Sequence, residues 1–121
     1  MPKKVLIADD TAFFRAVIKE ILEKGGFEVV GEAVNGAEAV DKARSLLPDI
    51  VILDVVMPEK NGLDAAREIT RLKLPVKILM CTSLKDDPLV EQAMGLGACG
   101  YITKPLDEDR VLSYLKAISK N

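Results

Sequence analysis

Five short apolar runs alternate with five helical patterns along this chain, and that alternation leaves few folds open. Val5-Leu6-Ile7-Ala8 reads as a strand, followed by a helix over residues 13–24 that Gly25-Gly26 ends. A second strand is expected over residues 27–31. Asn35-Gly36 has the composition of a hairpin turn, but Ala37, Ala39, Val40, Ala43, Leu46 and Leu47 then recur at helical spacing. Asn35 with Glu38 three residues on is a variant of the capping box, so a helix starts here and Pro48 closes it. Residues 50–53 form the third strand. Pro58 and Asn61-Gly62 mark a loop before a helix over about 63–72. The fourth strand spans 76–81. Asp87-Pro88 supplies an N-cap and a first helical position, and Gly97 suits that helix's end. Residues 100–103 form the fifth strand, and Asp107 caps a last helix carrying Val111, Leu112, Leu115 and Ile118 on one face.

The pattern is (βα)5, which calls for an α/β fold with a doubly wound parallel sheet covered by helices on both faces. Strands one, three and four are continuous apolar runs, as central strands should be. Strand two contains Glu28 and strand five is short, so both belong at edges. The expected order is therefore the flavodoxin-like 2-1-3-4-5. At 121 residues and 49% hydrophobic, the chain can bury a core as one domain over 1–121. A net charge of −2 without a basic stripe argues against direct nucleic-acid binding. No apolar stretch reaches membrane-spanning length and no signal peptide is read at the start, so a cytoplasmic location is expected. Cys81 and Cys99 lack metal-ligand spacing and read as reduced thiols, Cys81 in the core.

In an open parallel sheet the ligand site lies beyond the carboxyl ends of the strands. Asp9, Asp10 and Thr11 follow strand one; Asp54 ends strand three; Thr82 and Ser83 end strand four; Thr103, Lys104 and Pro105 end strand five. Three carboxylates, a hydroxyl and an ammonium therefore converge on one rim. At about 5 Å and an effective dielectric near 20, each like-charged pair costs roughly 3 kcal/mol. A hard divalent ion such as Mg2+ would relieve that repulsion through oxygen ligands. Asp54 beside such an ion could accept a phosphoryl group, with Thr82 and Lys104 at the phosphoryl oxygens. Singly, each residue has a plainer reading: Asp10 or Thr11 as a helix cap, Thr82 as a strand end, Lys104-Pro105 as loop. Their joint placement favours a site.

Asp9-Asp10, Asp54 followed by Met57-Pro58 and Gly62, Thr82-Ser83, and Tyr101 through Lys104-Pro105 resemble, in order and spacing, the response-regulator receiver family over the whole chain. The resemblance implies that Asp54 is the phosphoacceptor and that Asp9, Asp10, Asp54 and the backbone carbonyl of Val56 hold Mg2+. It implies that Thr82 and Lys104 contact the phosphoryl group and that Thr82 and Tyr101 form the switch pair. The Lys104-Pro105 bond would be cis. A histidine kinase would be the phosphodonor, and the face of the fourth helix, fifth strand and fifth helix, about 87–96 and 100–116, would meet a downstream protein. With no second domain in view, the chain is most similar to single-domain chemotaxis regulators, which act on a flagellar motor switch. A monomer is expected that catalyses only its own phosphorylation and dephosphorylation. Val56 and Leu84 occupy places that in the family are often polar, so slow loss of the phosphoryl group is expected.

The plainer readings of other residues are also definite. Phe13 and Phe14 read as core and helix-face residues, Arg15 as a solvated helix charge, and Lys3 and Lys4 as solvent-facing cations whose charge would moderate the acidic rim. Other functions remain in competition. A flavodoxin-like flavin-binding module would need a Ser/Thr/Gly-rich phosphate loop where this chain has Asp9-Asp10. A haloacid-dehalogenase-type phosphatase would need its nucleophile after strand one and a cap. A receiver that binds partners without phosphate is a third possibility. Within the receiver reading, a phosphorelay intermediate or the isolated receiver of a larger regulator stands beside chemotaxis. Asn121 closes the sequence soon after the last helix, which favours a stand-alone protein.

Overall fold

The structure, a computed structural model, describes residues 2–57, 59–83 and 88–119. Its elements follow the expected alternation: β1 (Lys4–Ala8), α1 (Ala12–Lys24), β2 (Glu28–Ala33), α2 (Gly36–Leu46), β3 (Ile50–Asp54), α3 (Gly62–Arg71), β4 (Lys77–Thr82), α4 (Pro88–Gly95), β5 (Gly100–Thr103) and α5 (Glu108–Ser119). All strand pairings are parallel, and the order is β2-β1-β3-β4-β5.

Strand alternation splits the core in two. Leu6, Ala8, Val51, Leu53, Ile78 and Met80 face α2, α3 and α4, where Val40, Ala66, Ile69 and Ala93 meet them. Val5, Ile7, Ile50, Ile52, Leu79 and Cys81 face α1 and α5, against Ile18, Leu22, Val111 and Leu115. Every residue of β3 is buried, which is why its sequence lacks the polar alternation of a half-exposed strand. Burying one such leucine contributes about 1.5–3 kcal/mol.

Local signals set the helix ends. Asn35 Oδ1 accepts from the Glu38 N–H at 2.8 Å, and Asn61 Oδ1 does the same for Asp64. Glu38 reaches back to the Val34 N–H, one residue before the N-cap, which makes this a variant of the capping box. Asp107 caps α5 by accepting from the Arg110 N–H. Pro88 opens α4 as expected, whereas Asp87 lies outside the described residues.

Several boundaries shift by a single residue, and the end of β2 shifts by two. β2 runs to Ala33, two residues past the expected end. The register passes from Val5↔Val29 to Leu6↔Gly31, so Val30 is an extra residue in β2. Gly31 therefore sits beside a bulge instead of ending the strand. The longer strand carries Ala33 to the level of Ala8, where its carbonyl accepts from the Asp9 N–H at 3.0 Å.

Candidate functional site

Each strand delivers its last residues to the same rim. Asp9 directly follows β1; its Oδ1 accepts from the Thr11 N–H at 2.9 Å. Thr11 is the N-cap residue of α1, but its side chain makes no capping bond. Asp54 is the final residue of β3 and is buried. Thr82, the final residue of β4, is buried too, and its carbonyl accepts from the Lys104 N–H at 2.8 Å just beyond β5. The Lys104-Pro105 bond is cis.

Asp9, Asp10 and Asp54 each bring a carboxylate oxygen within 4.8 Å of the others, Asp9 and Asp54 buried and Asp10 exposed. Lys104 Nζ stands 3.1 Å from Asp9 Oδ2 and 3.5 Å from Asp54 Oδ2. The Val56 N–H lies 3.4 Å from Asp54 Oδ1, a long contact. Burial, reinforced by the Asp9 charge, pushes the Asp54 carboxyl up to about 6, although Lys104 and the Val56 N–H pull against it. Burial alone would lower the Lys104 ammonium; its hydrogen bond to Asp9 and the charges of Asp54 and Asp9 outweigh that and hold it above the ordinary lysine value. Burial raises the Cys81 thiol to about 12, an inert core group. The donor set fits a hard cation such as magnesium: three carboxylates, all oxygen, offset only in part by one ammonium.

The loop after Asp54 is clamped on both sides. The Gly62 N–H donates to the Val55 carbonyl at 2.9 Å. A Cβ on Gly62 would lie 2.1 Å from the Asp54 carbonyl oxygen, so only glycine lets α3 start this close to the strand end. On the other side the Gly36 N–H donates to the Lys60 carbonyl at 2.8 Å, and Asn35 Nδ2 donates to Glu59 at 2.7 Å. Glu59 adopts a left-handed backbone with φ +66°. Lys60 in turn bonds Glu68 on α3, which holds that carboxyl below its usual range.

Thus the structure brings Asp9, Asp10, Asp54 and Lys104 together. Thr82 is at its strand end on the same rim. Val56 is 70% exposed at the rim, and Leu84 lies outside the described residues. Tyr101 stands apart on β5, paired in register with Met80 and partly open to solvent. It lines a groove of about 430 Å³ with Ile102, Thr103, Arg110 and Tyr114.

Three plainer readings are corrected. Arg15 is not a solvated charge: its Nε bonds Glu32 at 2.9 Å and its NH1 bonds the Asp9 carbonyl at 2.8 Å, tying α1 to β2 beneath the site. Phe13 is 71% exposed, not core, and Phe14 lies against Lys104, whose Nζ is 3.9 Å from the ring centroid. Lys3 and Lys4 do face solvent, but at the opposite end of β1 from Asp9. Five residues of strand span roughly 16 Å, beyond a Debye length of about 8 Å, so they do not moderate the rim. Arg15 and Phe14 carry no sequence signal, because their partners lie on distant segments. Among the described residues no helix is long and apolar enough to cross a membrane.

Known proteins match this arrangement. The model of the response regulator receiver domain matches residues 5–116. The chemotaxis protein CheY of Thermotoga maritima is 46% identical over 99% of this chain and 100% of its own length. CheY of Bacillus subtilis is 45% identical, covering 99% and 98%. The crystal structure of the CheX-CheY-BeF3-Mg2+ complex from Borrelia burgdorferi superposes with a TM-score of 0.94 at 31% identity, covering 100% of this chain and 92% of that one. On the strength of that match across nearly its whole length, the chain belongs to the response regulator receiver domain family.

Proposed function

We propose that this chain is the phosphorylatable receiver of a two-component signalling system, with Asp54 as the phosphoacceptor. The observation that carries this reading is the convergence of Asp9, Asp10 and Asp54 within 4.8 Å, with Lys104 3.5 Å from Asp54. Asp9, Asp10, Asp54 and the Val56 carbonyl would hold Mg2+, which when bound draws off charge from the phosphoryl oxygens. A carboxylate oxygen of Asp54 attacks the phosphorus of a phosphohistidine on the kinase. The new O–P bond forms as the N–P bond breaks, and the imidazole leaves with the bonding pair and takes up a proton. Lys104 and the Thr82 hydroxyl stabilise the transferred group. The same chemistry accepts a small donor such as acetyl phosphate.

The switch follows from the same residues. Engagement of Thr82 by the phosphoryl group draws its hydroxyl inward, and Tyr101 turns toward the space left. That repacks the face of α4, β5 and α5, where Tyr101, Arg110 and Tyr114 already line a groove. The relatives named for chemotaxis cover 99% of the chain, which favours the flagellar motor switch as the protein that reads this face. This reading puts the chain in the cytoplasm as a monomer with no external substrate to turn over. A phosphorelay intermediate, or the receiver of a larger regulator, uses identical site chemistry and differs only in the partner. The flavin-binding and phosphatase alternatives give way to the family match. The test is labelling by acetyl phosphate in magnesium and its loss with a chelator, followed by the affinity of the labelled chain for candidate switch peptides.

A further inference from the structure

Lys104 has a third neighbour besides the two carboxylates, and it is apolar. Its ammonium lies 3.9 Å from the centroid of the Phe14 ring. Phe14 is half-buried on α1, and Phe13 meets it edge-on, with centroids 6.0 Å apart and planes at 80°. An ammonium over an aromatic face is attracted to the ring's negative quadrupole, more strongly as water is removed. The Lys104 side chain is only 13% exposed.

The three partners differ in what else they can do. Asp9 and Asp54 belong to the carboxylate cluster, so a divalent cation there would neutralise them and repel the ammonium. The ring face offers no oxygen to a hard cation and keeps its attraction for Lys104. Without the ring, a lysine whose carboxylate partners were shared with a metal would recover the rotamer freedom of its long stem.

We infer that Phe14 is a positioning residue for phosphoryl transfer: its ring holds the Lys104 ammonium at the rim when Asp9 and Asp54 are occupied by a divalent cation. This rests on the phosphoacceptor reading above. It distinguishes this chain's aromatic at position 14 from a helix-face residue that merely packs.

The test compares the wild type with Phe14→Leu and Phe14→Tyr at saturating magnesium. Two readouts are taken: the maximal rate and half-saturating concentration for acetyl phosphate, and the proton chemical shifts of the lysine ε-methylenes. Phe14→Leu should lower the maximal rate about fivefold and leave the magnesium dissociation constant within about twofold, while Phe14→Tyr restores the rate. In magnesium, the Lys104 ε-protons of the wild type should resonate upfield of the other lysines through the ring current, and lose that shift in Phe14→Leu. An unchanged rate in Phe14→Leu, a Phe14→Tyr chain as slow as Phe14→Leu, or no upfield shift in the wild type would each overturn the inference. The last readout needs no variant to fold. If the wild type takes up no phosphoryl group, the phosphoacceptor reading fails, and the proton shift still decides whether the ring holds the ammonium.

Discussion

The Lys104 ammonium and the Asp54 carboxylate, 50 residues apart in sequence, face each other across 3.5 Å. They meet because β3 and β5 end at one rim, on either side of β4. In this arrangement the lysine opposes entry of a second cation, and under the proposed function the same ammonium meets the phosphoryl oxygens.

That dual position predicts opposite effects from one substitution. Lys104→Met removes a positive charge beside the carboxylates, so magnesium should bind about threefold to tenfold more tightly by calorimetric titration. Phosphoryl transfer from acetyl phosphate should nevertheless slow about a hundredfold, because a donor to the transferred group is lost. Weaker metal binding in this variant would contradict the electrostatic account.

The raised Asp54 predicts a definite pH dependence. Folded, Asp54 keeps its proton up to about 6, against 3.8 for an ordinary aspartate. Between those values the folded chain binds more protons than the unfolded one, so stability falls as pH rises through the window. The penalty is absent below the lower value and complete above the upper. In a chelator, Asp54→Asn should therefore melt about 3–6 °C above wild type at pH 8, and the gap should shrink toward pH 4. Differential scanning calorimetry at the two pH values checks it.

The clamp on the loop after β3 predicts a stability effect coupled to metal binding. A Cβ at Gly36 would lie 2.1 Å from the Lys60 carbonyl oxygen, and backbone cannot yield as a side-chain tip can. Gly36→Ala should cost about 1–3 kcal/mol in urea unfolding and weaken magnesium binding, since the displaced loop carries Val56. Gly95→Ala, with nothing within 4 Å of its would-be Cβ, is the control and should be neutral or slightly stabilising.

Much of this was legible from local pattern. The apolar runs of β1, β3 and β4 gave the central strands, Asn35 and Asp107 gave helix starts, and the strand ends gave the rim carrying Asp9, Asp54, Thr82 and Lys104. Periodicity could not place the bulge at Val30, because an extra residue in an edge strand shows only against its partner's register. Nor could it show Arg15 reaching Glu32, or Phe14 under Lys104, which depend on how α1 seats across the sheet. Lys3 and Lys4 lie far from the rim for a related reason: nearness in sequence to Asp9 is distance along a strand.

Separating acceptance from transmission requires Thr82. Its side chain is buried at the end of β4, while Tyr101 on β5 stays partly open to solvent. Thr82→Ala should still take up a phosphoryl group, within about tenfold of the wild-type rate, yet leave Tyr101 exposed. The chain has no tryptophan and two tyrosines, so tyrosine fluorescence in a Tyr114→Phe background reads Tyr101 alone. A full fluorescence change in phosphorylated Thr82→Ala would remove Thr82 from the switch.

The central claim is that Asp54 accepts a phosphoryl group at this rim. Intact mass after incubation with magnesium and acetyl phosphate, with wild type and Asp54→Asn in parallel, tests it most directly. The account predicts one added phosphoryl group on the wild type, none on Asp54→Asn, and none on either chain when a chelator replaces the metal. Equal labelling of the two chains, or an unlabelled wild type under conditions that modify another receiver, would contradict it.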